Sequence, residues 1–489
     1  MTELSRRTLL RATGVAALSA PVLWRQAAVA GSPLAEQVHL TFGADAAREM
    51  TVSWTTAGAV RNPRVRLGSA TGGYGTTVPA RTRTYTDHAT AREIITHHAR
   101  LPRLAPGTSH VYEVLHDGTT PVTGTFRTAP TGRSAFRFTS FGDQGVDSPN
   151  LRGGTRFSSE IVSHIEARQP LFNLINGDLA YSDLNADPAA AWDAWFRMNE
   201  ASTRHRPWMP AAGNHENETG NGPTGYRAFT TRYTVPDNGV HGLAGHFYAF
   251  TVGAVRFVVL QNDDVCLQDA GNFYVRGYSG GAQKHWLDRT LAAARRDPGI
   301  DWVVVVMHQL VMSSALSGNG CDLGVRQEFA PLFDKHGVDL VLCGHDHDYE
   351  RTHPVRGVDR TSATLTPHVA STRTDLVDTT KGAVHMVLGG GGSYPLNVYG
   401  GQGQQRVAKV ITGKATTDTE LELAPWSAVT DPMQAFGFAA FDVDPGTRPG
   451  GLTSMKVTTY RSPLIPGGAP TPYDVFTLQR PRSDGPVRR

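Results

Sequence analysis

The stretch VLCGHDHDYERTHP, residues 341–354, opens on a short apolar run, breaks at Gly344, and then sets His345 and His347 one residue apart. In a regular strand, residues i and i+2 share a face. A glycine directly before the first histidine points instead to a loop at the end of a buried strand. Taken alone, the pair fits two metal ligands as well as two polar loop residues. The rest of the chain has to separate these readings.

The same design recurs. FRFTSFGDQG ends in Asp143, and LFNLINGDLAYSD ends in Asp178 with Tyr181 three residues on. WMPAAGNHE ends in Asn214 and His215, and DWVVVVMH ends in His308. Helix-like pieces such as RFSSEIVSHIEAR and AQKHWLDRTLAAARR alternate with these runs. Residues 135–480 therefore read as an α/β domain with buried strands. The carboxyl ends of strands in an open α/β sheet form the ligand crevice. Five strand ends would deliver oxygen and nitrogen donors to one edge. Glycine precedes Asp143, Asp178, Asn214 and His345, which suits a sharp exit from the strand.

Carboxylate, phenolate, carboxamide and imidazole are hard to borderline donors, and thiolate is absent, so iron, manganese or zinc fits better than copper(I) or a cluster. Seven donors exceed one tetrahedral ion, and a carboxylate can bridge two. Two ions about 4 Å apart clamp a phosphate and activate a water for in-line displacement.

Residues 35–130 alternate apolar and polar over short runs such as MTVSWTT and SHVYEVLHDG, which predicts an antiparallel sandwich. TAPTGRS is the linker. Residues 436–479 return to short strands that complete a sheet of the second domain. Residues 358–381 and 394–435 read as long surface insertions.

Residues 1–30 carry the pair Arg6–Arg7, an apolar stretch and AVA ending at Ala30, the pattern of a secretory signal for the twin-arginine (Tat) route, cleaved near Ala30. Removing them takes away Arg6, Arg7, Arg11, Arg25 and Glu3. The chain has 47 basic and 44 acidic residues, so the remainder is neutral. The basic balance belongs to the signal and supplies no argument for nucleic acid, which enters at most as substrate, or for a stable membrane anchor. Of three cysteines, Cys343 reads as a small core residue; Cys266 and Cys321, in polar loops of an exported chain, are expected to form one disulfide. Oligomeric state is not legible.

In order, GDxG, GDxxY, GNHE, VxxH and GHxH resemble the five motifs of the purple acid phosphatases, within the metallophosphoesterase superfamily. HDYERT resembles the family's continuation after the last motif, and QVHLTFGADAAREMTVSWTT its fibronectin type III-like leading domain. The resemblance spans roughly residues 36–400. It implies an all-β fibronectin-like sandwich followed by an α/β (αββα) metallophosphoesterase domain with a binuclear metal site at its strand ends. It also implies that Asp143, Asp178, Tyr181 and His347 hold one ion, and Asp178, Asn214, His308 and His345 the other, with Asp178 bridging. Tyrosinate favours Fe(III) at the first site; Zn, Mn or Fe(II) fits the second. A hydroxide held by the ions would attack a small phosphate monoester, His215 would stabilise the transition state or assist the leaving group, and Glu216 would support the ligands from behind.

One departure is clear. Plant members carry further phosphate-contacting histidines after VxxH, whereas QLVMSSALSGNGCDLG has none. Arg326 is a weak substitute. A phosphodiesterase acting on nucleotides or phospholipid head groups is therefore the alternative; a non-catalytic secreted binding protein would predict an incomplete donor set. GGGGSYP, residues 389–395, lacks the ending of a P-loop and reads as a tight turn at the crevice edge. Tyr349, Glu350 and Arg351 are expected to pack locally, Asp183 and Asp187 to be solvated, and Asp346 and Asp348 to point away from the ions. His205, His241, His246 and His285 read as ordinary polar or helix-surface residues.

Overall fold

The structure, a computed structural model, describes residues 33–485 apart from 70–71, 269–272, 396–397, 402–404, 434–435, 464 and 466. The expected export signal, residues 1–30, lies outside the described residues.

Eight strands between Glu36 and Arg127 form two four-stranded sheets in which every pairing is antiparallel. Alternation along Met50–Thr56 sends Val52 and Trp54 into the sandwich core and turns Thr51, Ser53 and Thr55 outward, yet all are buried. The outer face is covered by the second domain: Ser53 Oγ lies 2.8 Å from His98 Nδ1, and His98 Nε2 lies 3.0 Å from the Thr231 carbonyl. Tyr112 donates its hydroxyl to the Arg204 carbonyl across the same boundary.

The second domain is built on two seven-stranded sheets, in keeping with the expected αββα layering. One runs in the order Trp208–Ala211, Phe172–Asn176, Phe136–Phe141, Gly437–Asp444, Leu452–Arg461, Thr471–Pro481, Leu376–Asp378. The other runs Tyr248–Val252, Val255–Val259, Trp302–Val306, Leu340–Cys343, Val384–Leu388, Tyr349–Thr352, Ser427–Thr430. The strands leading to the polar residues run parallel to one another within each sheet, and Phe136–Phe141 pairs antiparallel with Gly437–Asp444 on its other side. The sheets meet through aromatic rings: Phe138 stacks on Phe441 at 4.5 Å and meets Phe257 edge-on at 5.2 Å.

Trp302–Val306 explains why the strands read as unbroken apolar runs. Trp302, Val304 and Val306 belong to the core between the sheets, while Val303 and Val305 pack in a second core with Trp286, Leu287 and Leu291 of the helix Ala282–Arg296. A strand buried on both faces cannot alternate.

Three expectations need correcting. Residues 358–381 and 394–435 are not plain surface insertions. Leu376–Asp378 and Ser427–Thr430 are edge strands of the two main sheets, and Val407–Ile411 pairs with Thr419–Leu423. Each strand is only three to five residues long, too short to leave a clear periodic signal. Cys266 and Cys321 form no disulfide; they and Cys343 are buried free thiols. Cys321 Sγ faces the backbone of Ser313, donating to its carbonyl at 3.0 Å. His246 is not a surface residue: it is buried between the rings of Tyr226 and Tyr278. His241 and His285 are exposed, and His205 contacts Thr125.

Candidate metal centre

Asp143, Asp178 with Tyr181, and Asn214 leave the carboxyl ends of three strands of the first sheet. His308, His345 and His347 leave two of the second. The site therefore lies where the two sheets meet. Asn176 ties that edge together: its side chain accepts from Ser140 and donates to the Cys343 carbonyl of the opposite sheet.

The sharp exits are made by the ligand candidates themselves. Asp143, Asp178, Tyr181 and His345 have φ of 58°, 53°, 49° and 71°. The left-handed region costs a non-glycine residue about 1–2 kcal/mol, and four such residues around one point mark a strained, over-determined site. The preceding glycines serve close approach. A Cβ on Gly213 would sit 2.2 Å from Asp178 Oδ1, and one on Gly344 would sit 2.3 Å from Asp143 Oδ2.

Two clusters of donors result. His308 Nδ1 lies 2.7 Å from the Asn176 carbonyl, which assigns the proton there and turns Nε2 inward. That Nε2 lies 3.1 Å from Asp178 Oδ2, 2.9 Å from Asn214 Oδ1 and 3.1 Å from His345 Nδ1. In the other cluster, His347 Nδ1 lies 2.5 Å from the Tyr394 carbonyl. Its Nε2 lies 3.0 Å from the Tyr181 hydroxyl and 3.4 Å from Asp143 Oδ1. Asp143 Oδ1 is 4.0 Å from His308 Nε2, so the clusters adjoin.

The electrostatics ask for cations. Asp143, Asp178 and Glu216 are buried, and among the described residues no lysine or arginine forms an ion pair with them. Burial opposes charge on His308, but Asp178 and Asp143 outweigh it and push the imidazole up to about 10. Burial raises Asp178, and His308 and His215 more than reverse this and hold it low. Glu216 is pushed up to about 8 by burial and Asp178. Its oxygens nonetheless receive N–H donors from Asp178, Leu179 and Gly213, the pattern of an ionised carboxylate. Positive charge at the two clusters resolves that conflict, and the donor set fits hard to borderline divalent or trivalent ions.

Beside the clusters, the His215 backbone N–H donates to Asp178 Oδ1, and its ring lies 4.5 Å from that of Tyr181. Asp183, expected to be solvated, has a 3% exposed side chain that contacts His215 Nδ1. Nothing in the spacing of GDLAYSD marked it, because the 3-10 turn Ser182–Leu184 brings it round. Burial would lower His215, but Asp178 and Asp183 outweigh it and push it up to about 9. Gln268, also missed, contacts His345 Nε2.

The remaining candidates fall elsewhere. Arg326 is buried against Glu422 and the Thr364 carbonyl, away from the donors. Tyr349 and Arg351 bind Asp474, and Glu350 binds Ser313 and Ser314. Asp346 accepts from Ser313, and Asp348 contacts Tyr399. Asp187 is exposed and caps the helix Pro188–Thr203. The turn at 389–395 lies at the crevice edge: the Gly391 N–H donates to the Gly142 carbonyl and the Ser393 N–H to that of Asp143.

Residues 35–128 match the purple acid phosphatase N-terminal domain, and residues 137–349 match the calcineurin-like phosphoesterase domain. The chain belongs to the purple acid phosphatase family. Family membership makes it a metal-dependent phosphoric ester hydrolase, with a binuclear metal site. An uncharacterised protein of Mycobacterium tuberculosis is 51% identical over 96% of this chain and 93% of its own length. A purple acid phosphatase of Glycine max is 28% identical over 66% of this chain and 67% of its own. The structure of a purple acid phosphatase from yellow lupin seeds superposes with a TM-score of 0.68 at 21% identity, covering 93% of this chain and 75% of that one. Among the described residues no helix is long and apolar enough to cross a membrane.

Proposed function

We propose that this chain is an exported phosphatase that hydrolyses small phosphate monoesters at a pair of metal ions. The observation that carries the reading is the adjoining pair of donor clusters with His215 beside them. Asp143, Asp178, Tyr181 and His347 would hold one ion, and Asp178, Asn214, His308 and His345 the other, with Asp178 shared. The Tyr181 phenol favours Fe(III) in the first position; Zn, Mn or Fe(II) suits the second. When bound, such ions neutralise phosphoryl charge and make water nucleophilic near neutral pH.

The protein's own groups then position and protonate. Asp183 holds His215 Nδ1, so Nε2 is left to donate to the leaving oxygen. Glu216 clamps the backbone of Asp178, Leu179 and Gly213, which fixes the strained exit at Asp178 and the turn before Asn214. The carbonyls of Asn176 and Tyr394 hold His308 and His347 with Nε2 inward. The Arg6–Arg7 pair and the apolar stretch to Ala30 support Tat export with cleavage near Ala30.

Diester hydrolysis is the second reading. Ser313, Ser314 and Asn319, in the segment after His308, spend their polar groups on Glu350, Asp346 and the His345 carbonyl. Less positive charge then faces substrate, which suits a monoanionic diester. Metal analysis of the purified chain, with rates on 4-nitrophenyl phosphate and bis(4-nitrophenyl) phosphate, tests both. Two ions per chain and faster monoester turnover are expected. Faster diester turnover would replace the first reading with the second, and fewer than one ion per chain would overturn both.

A further inference from the structure

A second group of donors lies apart from the catalytic centre, where the two domains meet. Asp87 and His88 follow the strand Arg81–Thr86 of the sandwich, and Glu218 follows the turn Asn214–Glu216 of the catalytic domain. One donor atom from each lies within 4.8 Å of the others. Asp87 is 1% and Glu218 7% exposed. Asp87 Oδ1 accepts from the N–H of Ala89 and Thr90 and from the Thr90 hydroxyl, at 3.2, 2.8 and 2.7 Å. Asp87 Oδ2 is buried with no hydrogen-bond partner.

A buried carboxylate oxygen left unpaired costs about 1–3 kcal/mol or more, so it calls for a partner. Glu218 Oε1 already accepts from Ser182 Oγ at 2.6 Å and Trp192 Nε1 at 2.9 Å. Arg232 acts on Glu218 through space but donates to the Tyr85 hydroxyl and the Ala228 carbonyl, not to either acid. Among the described residues neither Asp87 nor Glu218 has an ion-pair partner, and His88 stands exposed beside them.

We propose that Asp87, His88 and Glu218 bind a third metal ion, a divalent ion of the zinc class, that fastens the N-terminal sandwich to the catalytic domain. Two carboxylates and one imidazole suit such an ion, with water completing its shell. Through Glu218 and Ser182 it steadies the turn that begins at Tyr181, so its role is structural.

The test is zinc content of the full chain, purified, loaded with zinc and dialysed. Wild type should hold one ion more than His88→Ala, and Asp87→Asn should match His88→Ala. Because His88 is exposed, its replacement leaves folding and the catalytic centre in place, and turnover should stay within about twofold. An Asp178→Asn chain, disabled at the catalytic centre, should keep one zinc that Asp178→Asn/His88→Ala loses, which separates this site from any failure of the binuclear reading. Added zinc should raise the Tm of Asp178→Asn but not of the double variant. Equal zinc content in wild type and His88→Ala, or an equal Tm response in the two Asp178→Asn chains, overturns the proposal.

Discussion

The carboxylate of Asp183 grips His215: Oδ2 lies 2.9 Å and Oδ1 3.0 Å from His215 Nδ1. The imidazole is thereby turned with Nε2 toward the donor clusters, and against burial, which would lower it, Asp178 and then Asp183 raise its pKa. Asp183→Asn should lower kcat by about 10–100-fold, the usual cost of losing a supporting partner, with little change in KM. His215 would lose a raising influence, so the alkaline limb of the kcat–pH profile should move to lower pH. An unmoved limb would mean that His215 does not titrate in catalysis.

Ligand and proton donor should separate by metal content. Asp178→Asn should abolish turnover and strip metal from the centre. His215→Ala should keep its metal and lose about 10²–10⁴ in kcat. Elemental analysis beside steady-state kinetics distinguishes the two, and metal loss in His215→Ala would make His215 a ligand.

Tyr181→Phe should remove any visible charge-transfer band, because the phenol oxygen 3.0 Å from His347 Nε2 is the group that would bind a ferric ion. The absorption spectrum of wild type beside the variant reads this directly. A wild-type protein that is colourless with full metal content would exclude Fe(III) from the first site.

Chelation should destabilise the fold as well as stop catalysis. Asp143, Asp178 and Glu216 are buried without lysine or arginine partners among the described residues, so removing the ions leaves like charges together. At free metal a hundredfold above Kd, each ion contributes about 2.7 kcal/mol. Calorimetry should show a Tm several degrees lower after chelation, restored by metal; an unchanged Tm would mean that the acids are protonated at rest.

Acid should weaken the protein through buried histidines outside the donor clusters. Burial lowers His246 to about 4, and burial with Arg326 lowers His385 to about 3. Both are neutral in each state above pH 6.5. Below it the unfolded chain takes up protons that the folded chain refuses, so stability falls as pH drops from 6.5 toward 4. His246 alone accounts for about 3 kcal/mol across that window. Urea midpoints at pH 7 and 4.5 should converge in His246→Leu relative to wild type, and parallel losses would remove His246 as the cause.

The apolar runs and their polar ends were legible along the chain because a strand buried on both faces must be continuously hydrophobic and must stop where its backbone turns. Asp143, Asp178, Asn214, His308 and His345 each sit one to three residues past such a run, so local order placed them. Asp183 and Glu218 carried no such mark. Each is a single acid in a polar loop, and its role depends on what the fold brings against it.

What the sequence by itself determined is the set of donors, their order and the two-domain plan, since these follow from hydrophobic periodicity and from residue chemistry. What only the tertiary structure decided is the division of those donors between two sheets, the left-handed turns that aim them, and the hold of Asp183 on His215. It also decided that Cys266 and Cys321 stay apart and that Leu376–Asp378 and Ser427–Thr430 serve as edge strands. The physical reason is range. Backbone propensity and periodicity act over a few residues, whereas desolvation, charge pairing and sheet-edge pairing act between segments that meet only when the chain has closed.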